Sequence, residues 1–305
     1  MFQKARDLFK TVFSLLHQPE FCEQAKELPS DFTRHRKVGF VDVMAIIINQ
    51  IRLTTQIELN RYREEFLPES AAKTSYTKQS FAEARQKIRP QAFVSLNNAL
   101  VDRYHADPDY ETFHGFRVLA IDGCGIEVPD VPACRETFGV AKGSAGFVAA
   151  RARSSQLYDV FNQIVLDARL MPYRTGERVM AYAHLQALLS KVSATIPTLI
   201  LFDRGYPSLS LICFLLHHHL HFLMRVSRRF YPQILGKAAS NATVTLRVSA
   251  AQARELKCPG DPRGTGYGGN ATRSQGNLAR WHHRGLGHRR DGRRPSRGCH
   301  GAVVL

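Results

Sequence analysis

Two aspartates each follow a short apolar run and lead into a turn. Val118–Ile121 runs into Asp122, which glycines follow at positions 123 and 125. Thr198–Phe202 runs into Asp203, and a Gly-x-Pro sequence then ends the run. Apolar, β-rich runs of this length predict strands rather than helices. Because Mg²⁺ takes hard oxygen ligands in phosphodiester chemistry, two carboxylates at strand ends could share such a metal.

Each aspartate alone is also open to a plain structural interpretation, because Asp is common where a strand enters a turn. The residues around both aspartates favour chemistry. The sequence Ala-Ile-Asp-Gly at 120–123, the segment Pro172–Arg178 (PYRTGER) and the segment Asp203–Ser208 (DRGYPS) together resemble the IS4-type DDE transposases of bacterial insertion sequences. The order and spacing of the three segments agree with that family, and the resemblance extends from about residue 30 to Lys257.

The resemblance implies an enzyme that cuts and rejoins DNA at the terminal inverted repeats of an insertion sequence. In that family, an RNase H-like core carries two aspartates and a later glutamate that bind Mg²⁺ or Mn²⁺. Asp122 and Asp203 would then be catalytic residues and metal ligands. The implied partner is double-stranded DNA, both the inverted repeats and the target, bound by a homodimer because two ends must be held together. The implied location is the bacterial cytoplasm, at the nucleoid.

The third acid of that family is not found in this sequence. It lies in a Tyr-x2-Arg-x3-Glu-x6-Lys motif, and Glu255, the last glutamate of the chain, lacks the preceding Tyr and Arg. With two of three carboxylates, we expect weak Mg²⁺ binding and slow or absent strand cleavage. Two functions stay open: an impaired transposase, or a catalytically inactive DNA-binding remnant that binds transposon ends or inhibits an intact transposase.

Charge and cysteine content narrow the class of protein. The net charge is +16, from 42 Lys and Arg against 26 Asp and Glu, which favours a polyanionic partner. Charge alone would fit RNA or a membrane surface equally well. Six cysteines without a CxxC pair predict a reducing compartment and argue against a zinc ribbon. No signal peptide or membrane span is predicted. The histidines at 217–219 and 221 predict a solvated turn rather than a metal site.

Residues 1–105 are predicted to form a helical N-terminal region with possible DNA binding. Apolar spacing predicts one helix over Phe40–Leu59, and two further helices over Thr77–Arg89 and Gln91–Tyr104, separated by Pro90. The last two helices suit either a helix-turn-helix-like DNA contact or a plain helical hairpin with a solvated face. The candidate DNA-binding residues here are Lys78, Arg85, Lys87 and Arg89.

Residues 106–235 are predicted to form an α/β catalytic core of RNase H-like type, with the order βββαβαβ. The predicted elements are strands at Val118–Asp122, Gln156–Val160 and Gln163–Ala168, a helix at Gly176–Lys191, a strand at Thr198–Phe202, a helix at Leu209–His219 and a strand at His221–Val226. Three arginines are candidate DNA contacts: Arg174, Arg178 and Arg204. Alternatively, these arginines only pair with neighbouring carboxylates.

The remaining residues divide into two segments. Residues 236–257 contain the alternating sequence ATVTLRV, which resembles the start of the β-rich insertion of IS4-type enzymes. Residues 258–305 hold eleven of the 21 glycines, nine Arg and no Phe, Ile, Lys, Glu or Met, so we predict a disordered basic tail. Because out-of-frame translation of GC-rich DNA gives such Gly-Arg-Pro-His runs, we interpret the tail as the product of a frameshift near codon 257.

Overall fold

The chain divides into two compact units, Met1–Tyr110 and Glu111–Leu305. The computed structural model describes residues 2–33, 38–50, 53–67, 76–106, 110–143, 146–191 and 196–226, together with three short strands at 244–246, 279–281 and 301–304. The segment boundaries predicted after residues 105, 235 and 257 stay predictions.

The N-terminal unit is helical in its described part. Its helices are α1 (Phe2–Leu16), α2 (Pro19–Ala25), α3 (Phe40–Ile48), α4 (Thr55–Phe66), α5 (Lys78–Arg85) and α6 (Gln91–His105). Pro19 occupies the first turn of α2, where its missing amide hydrogen costs nothing. Large apolar side chains from different helices form one buried cluster, which includes Phe21, Phe40, Met44, Leu59, Phe81 and Leu96.

The predicted single helix over Phe40–Leu59 is wrong, because the structure has two helices there. α3 ends at Ile48, and the side chain of Asn49 donates to the carbonyl oxygen of Ala45 at 2.8 Å. Such local side-chain bonds compete with helix continuation. The buried face also differs from the predicted stripe, since Val43 is fully buried and Ile48 is half exposed.

The segment between α5 and α6 is tied to the end of α2. The Glu27 amide donates to the Lys87 carbonyl oxygen, and the Arg89 amide donates to the Ala25 carbonyl oxygen, each at 2.8 Å. These two bonds form a small antiparallel bridge between Lys26 and Ile88. The segment between α5 and α6 is therefore held in place by backbone hydrogen bonds and not only by side-chain packing.

The C-terminal unit is a mixed α/β structure, which confirms the predicted class. Its elements are β1 (Arg117–Glu127), α7 (Pro132–Phe138), β2 (Val140–Lys142), β3 (Val148–Asp159), β4 (Ile164–Pro172), α8 (Glu177–Lys191), β5 (Thr198–Phe202), α9 (Leu209–His217), β6 (His221–Arg225), β7 (Val244–Leu246), β8 (Ala279–Trp281) and β9 (Gly301–Val304). The sequence did not predict α7 and β2, which lie between the first two long strands.

One seven-stranded sheet forms the centre of this unit. Its order is β2-β3-β1-β5-β6-β9, and β4 pairs with β3. β1, β5, β6 and β9 run parallel to one another, whereas β3 pairs antiparallel with β1, β2 and β4. The crossover from β5 to its parallel partner β6 contains α9, as parallel pairing requires, and α8 lies between β4 and β5 in the chain.

The predicted hairpin of the second and third long strands is confirmed, although both strands are longer than expected. β3 and β4 are antiparallel partners over eight register pairs. The Asp159 carboxylate accepts from the backbone amide of Asn162 at 3.0 Å and from its side chain at 2.9 Å. These bonds hold the tight connection that joins the two strands.

α8 and α9 bury apolar faces in the same part of the unit. Met180, Leu185 and Leu188 of α8 are buried, as are Leu211 and Leu215 of α9. An edge-to-face contact between Tyr182 and Phe214, with ring centroids 5.3 Å apart, joins the two helices. The helix starts, at Glu177 and Leu209, are thereby fixed relative to the sheet.

The predictions for residues 236–305 fall almost wholly outside the described residues. Within that segment the structure describes only β7, β8 and β9, and β9 pairs with β6. These short strands differ from the disorder predicted for residues 258–305. Among the described helices, none has both the length and the apolar character needed to cross a membrane.

We predict that Ile200→Ala strongly destabilises the C-terminal unit. Ile200 is 0% exposed in β5, between β1 and β6, so truncation leaves a cavity and should lower the free energy of unfolding by about 2–5 kcal/mol. Val179→Ala, at a site that is 45% exposed, should change it by less than about 0.5 kcal/mol. Urea unfolding followed by circular dichroism measures both, and equal effects would contradict the assigned register.

Candidate active site

The parallel pairing of β1 with β5 sets the position of the two predicted catalytic aspartates. Ile121 of β1 is the register partner of Phe202 of β5, so Asp122 and Asp203 leave the paired segment at neighbouring positions. Ile121 and Phe202 are buried, whereas both aspartates are exposed. The two carboxylates therefore lie at one end of a packed strand pair and are open to solvent.

Asp122 does not end its strand, contrary to the sequence prediction. β1 continues to Glu127, and its later residues pair with β3 as far as the partners Glu127 and Arg151. Its pairing with β5 ends one residue before Asp122. The glycines that suggest a turn are instead strand residues, and Gly125 gives room to Tyr173, whose Cε2 would lie 2.9 Å from an added Cβ.

Asp203 directly follows β5 and begins a tight turn. Its carbonyl oxygen accepts a hydrogen bond from the Tyr206 amide at 3.2 Å. Ser208 then caps α9, because its side chain accepts from the Leu211 amide at 3.2 Å. The Asp203 carboxylate is 65% exposed and lies 3.9 Å from a guanidinium nitrogen of Arg225. Since ion pairs this exposed contribute little stability, Asp203 stays accessible to a ligand.

A third acid, Glu177, lies against the same turn. It is the first residue of α8, and its Oε1 accepts a hydrogen bond from Nη1 of Arg153 at 3.1 Å. A Cβ added to Gly205 would lie 2.5 Å from Glu177 Oε2. A glycine at position 205 is therefore what lets this carboxylate approach the turn. The Arg153 guanidinium also lies 5.4 Å from the ring centroid of Tyr173, within cation–π range.

Tyr206 links the three acids electrostatically. It is 1% exposed, and its hydroxyl has no hydrogen-bond partner within the part of the chain that the structure describes. Burial raises the pKa of the phenol above its usual value, and the charges of Glu177, Asp122 and Asp203 raise it further, while Arg153 acts in the opposite direction. The phenol therefore stays protonated at neutral pH, within electrostatic range of all three carboxylates.

The chain has a partial sequence relative and a distant structural match among known proteins. No family model matches it. It is 31% identical over 146 residues to the putative transposase InsZ of Escherichia coli strain K12, an alignment that covers 45% of this chain and 46% of that protein. Among solved structures, a cryo-EM structure of the piggyBac transposase synaptic complex with hairpin DNA matches 77% of this chain and 55% of that chain, with a TM-score of 0.34 and 12% identity. The chain thus spans about half the length of each.

Asp122 and Asp203 supply carboxylate oxygens, the type of ligand that a divalent cation such as Mg²⁺ takes. Mg²⁺ commonly binds through one or two carboxylates, and waters and substrate phosphates complete its octahedron. Across the described ranges, no group of three His, Cys, Asp or Glu side chains is arranged to hold a metal ion. Glu177 is engaged by Arg153, and the histidines at 217–219 belong to no such group.

The predicted basic residues of the C-terminal unit lie near the three acids in sequence and are solvent-exposed. Arg204 follows Asp203 in the turn, and Arg174 and Arg178 flank the start of α8 at Glu177. The structure records no ion pair for any of the three among the residues it describes. Their guanidinium groups are therefore available to an anionic ligand.

The predicted basic residues of the N-terminal unit fall into two pairs. Lys87 lies 3.8 Å from an Asp31 carboxylate oxygen, and Arg89 lies 3.6 Å from a Glu27 carboxylate oxygen. Lys78 and Arg85 are exposed on α5. Lys87 and Arg89 therefore already have acidic partners. The sequence pattern does not reveal these pairs, because Asp31 and Glu27 are about 60 residues away in the chain.

Sequence reasoning missed Arg153 and Arg225 and left Glu177 without a role. Arg153 is a strand residue whose partner lies 24 positions later, and no local pattern links the two. Tyr206 belongs to the DRGYPS segment, but its burial could be learned only from the packing. The available signal for Glu177 was its place at the start of a helix in the segment PYRTGER.

We predict that Gly205→Ala breaks the ion pair between Glu177 and Arg153. The new Cβ would displace the Glu177 carboxylate, and loss of a partly exposed pair should lower the free energy of unfolding by about 0.2–1 kcal/mol. Gly176→Ala is the matched control, because nothing lies within 4 Å of its added Cβ.

The test is a double-mutant cycle measured by thermal unfolding. In a Glu177→Ala background the carboxylate is gone, so Gly205→Ala should have no further effect. An unchanged cost in that background would show that the alanine collides with something other than Glu177.

Proposed function

We propose that this chain acts in DNA transposition through phosphodiester chemistry at Asp122 and Asp203. The observation that carries the proposal is the register of β1 and β5, in which Ile121 and Phe202 are partners and the two aspartates follow side by side. The 31% identity to the putative transposase InsZ over 45% of this chain supports the same function. The net charge of +16 suits a DNA substrate.

The C-terminal unit is, on this proposal, an RNase H-like core. The order β4-β3-β1-β5-β6 supports it, with three antiparallel strands followed by two parallel crossovers through α8 and α9. The IS4-type family in particular is supported by the residues around Asp122 and by the segments PYRTGER and DRGYPS. A homodimer at the nucleoid, with two transposon ends held together, belongs to the same proposal.

Asp122 and Asp203 would hold Mg²⁺ or Mn²⁺. When bound, the metal would activate the attacking oxygen and stabilise the leaving oxygen of a phosphodiester. Arg204 would pair with a backbone phosphate from the turn after Asp203. Arg225, already 3.9 Å from Asp203, offers a second guanidinium at the end of β6. Glu177 balances the charge of Arg153 and so keeps it from competing for Asp122 and Asp203.

A catalytically inactive DNA-binding remnant is the second candidate function. One observation favours it: within the described ranges no three acids are arranged around one metal position. Without a third carboxylate, Mg²⁺ would bind weakly and cleavage would be slow. Such a chain could still bind transposon ends, or combine with an intact transposase and inhibit it.

We predict metal-dependent nicking of DNA that requires both aspartates. The probe is a supercoiled plasmid that carries the coding sequence with its natural flanking DNA, incubated with purified protein and Mg²⁺ or Mn²⁺. Nicked circles should form with metal and not with chelator. Asp122→Asn and Asp203→Asn should each reduce nicking to the level of a protein-free reaction, because each removes a ligand charge.

Glu136→Gln, an exposed change on α7, is the control and should nick like the unaltered protein. If the unaltered protein binds the plasmid without nicking it, the remnant function is correct. If nicking persists in both aspartate variants, it comes from a contaminant or another site, and the assignment of Asp122 and Asp203 is wrong.

We further predict unequal roles for the basic residues of the N-terminal unit. Each Lys or Arg that neutralises a phosphate adds about 0.9 to the slope of log K against log salt. Lys78→Ala and Arg85→Ala should each lower the slope by about that amount. Lys87→Ala and Arg89→Ala should change it little, because Asp31 and Glu27 already pair with them. Fluorescence anisotropy with a labelled duplex measures the slopes, and four unchanged slopes would support the plain helical hairpin.

A further inference from the structure

A buried chain of hydrogen bonds runs from α8 to the backbone of Asp122. The hydroxyl of Ser155, on β3, donates to the Asp122 carbonyl oxygen at 3.1 Å. Nε2 of His184 lies 3.0 Å from that hydroxyl, and Nδ1 lies 2.9 Å from Oδ2 of Asp167 on β4. His184 is 0% exposed and Ser155 is 1% exposed. The chain thus connects a helix and two strands to a residue of the candidate active site.

Counting protons along this chain assigns a charge to His184. A serine hydroxyl has one hydrogen, and Ser155 gives it to the Asp122 carbonyl. Its oxygen must then accept from Nε2–H of His184. The Asp167 carboxylate accepts as well, so Nδ1 must also carry a hydrogen. All three contacts are hydrogen bonds together only when the imidazole is doubly protonated.

A neutral imidazole would lose one of the contacts. If Nδ1–H donates to Asp167, the bare Nε2 takes the hydrogen of Ser155. The Ser155 oxygen and the Asp122 carbonyl oxygen would then be two acceptors facing each other 3.1 Å apart. Because the Ser155 hydroxyl is shielded from water, the carbonyl would have to move away from it. The protonation of His184 is therefore coupled to the position of the Asp122 backbone.

The surroundings of His184 favour the charged form of the pair. Burial alone would raise the pKa of Asp167, but the hydrogen bond from His184 and the charge of Arg169 outweigh it and hold the pKa below its usual value. Arg169 donates to Asp167 at 2.8 Å and to the Ala183 carbonyl oxygen at 3.0 Å. The ionised Asp167 is thus the counter-ion that faces the buried imidazole.

We propose that His184 is a positioning residue of the candidate active site, and that its doubly protonated form braces Asp122 through Ser155. The proposal rests on the proposed function of Asp122. If His184 does not donate to Ser155, the brace is released, and Asp122 is held less firmly opposite Asp203. As outer partners of metal ligands typically contribute 10–100-fold to affinity or activity, we expect an effect of about that size.

Nuclear magnetic resonance tests the brace without reference to activity. The imidazole ¹⁵N signals of His184 and the carbonyl ¹³C signal of Asp122 are recorded in the full-length protein and its variants under one set of conditions. Both ring nitrogens of His184 should carry a hydrogen. Ser155→Ala should shift the Asp122 carbonyl signal, because it removes the hydroxyl that donates to that oxygen.

Ser154→Ala is the matched control, since it removes a hydroxyl from the neighbouring residue of β3 and should leave the Asp122 carbonyl signal in place. A His184 that carries only one ring hydrogen would overturn the proposal, as would an Asp122 carbonyl signal that is unchanged in Ser155→Ala. His184→Gln gives an independent check, because a glutamine amide can still donate to Ser155 and should shift the Asp122 signal less than Ser155→Ala does.

The nicking assay supplies the functional part of the test. Ser155→Ala should lower kcat about 10–100-fold with little change in KM for DNA. Ser154→Ala should leave kcat unchanged. If the unaltered protein does not nick DNA, the proposed function fails, but the resonance measurements still decide whether His184 braces Asp122.

Discussion

The parallel pairing of β1 with β5 is the constraint on which the candidate site depends. Five register pairs join the two strands, from Arg117 with Thr198 to Ile121 with Phe202. They fix where two chain segments about 80 residues apart stop pairing with each other. A slip of one residue would turn every side chain of β1 to the other face and would separate Asp122 from Asp203. Buried side chains along both strands, such as Leu119 and Ile200, oppose that slip. The packed core therefore sets the distance between the acids.

The sequence predicts the elements whose signals are local. The run Thr198–Phe202 has the predicted bounds because apolar β-rich residues end abruptly at a Gly-x-Pro turn. The continuation of β1 past Asp122 has no local signal, because pairing with β3 provides it. The same reason applies to the site: the two aspartates follow readable strands, whereas the contact of Arg153 with Glu177 depends on how β3 and α8 meet. Only long-range packing specifies such contacts.

The three acids of the site differ in what neutralises them. Glu177 has Arg153 at 3.1 Å, and Asp203 has Arg225 at 3.9 Å, whereas the described ion pairs include none for Asp122. Its position therefore cannot come from a charged side-chain partner. The hydrogen bond from Ser155 to its backbone supplies a restraint that leaves the carboxylate itself unpaired. A carboxylate restrained in this way keeps both oxygens available for a cation.

On the proposed function, this distribution of charge gives a physical reason why a site with two available acids would act only on DNA. With Asp122 and Asp203 as its protein ligands, a Mg²⁺ ion would keep most of its water and bind weakly. A DNA phosphate at the site would add oxygen ligands, would pair with Arg204 and would draw Arg225 away from Asp203. Metal and DNA would then each strengthen the binding of the other. Such coupling would confine cleavage chemistry to the complex with DNA. It would not need Glu177 as a metal ligand, because Arg153 already pairs with that carboxylate.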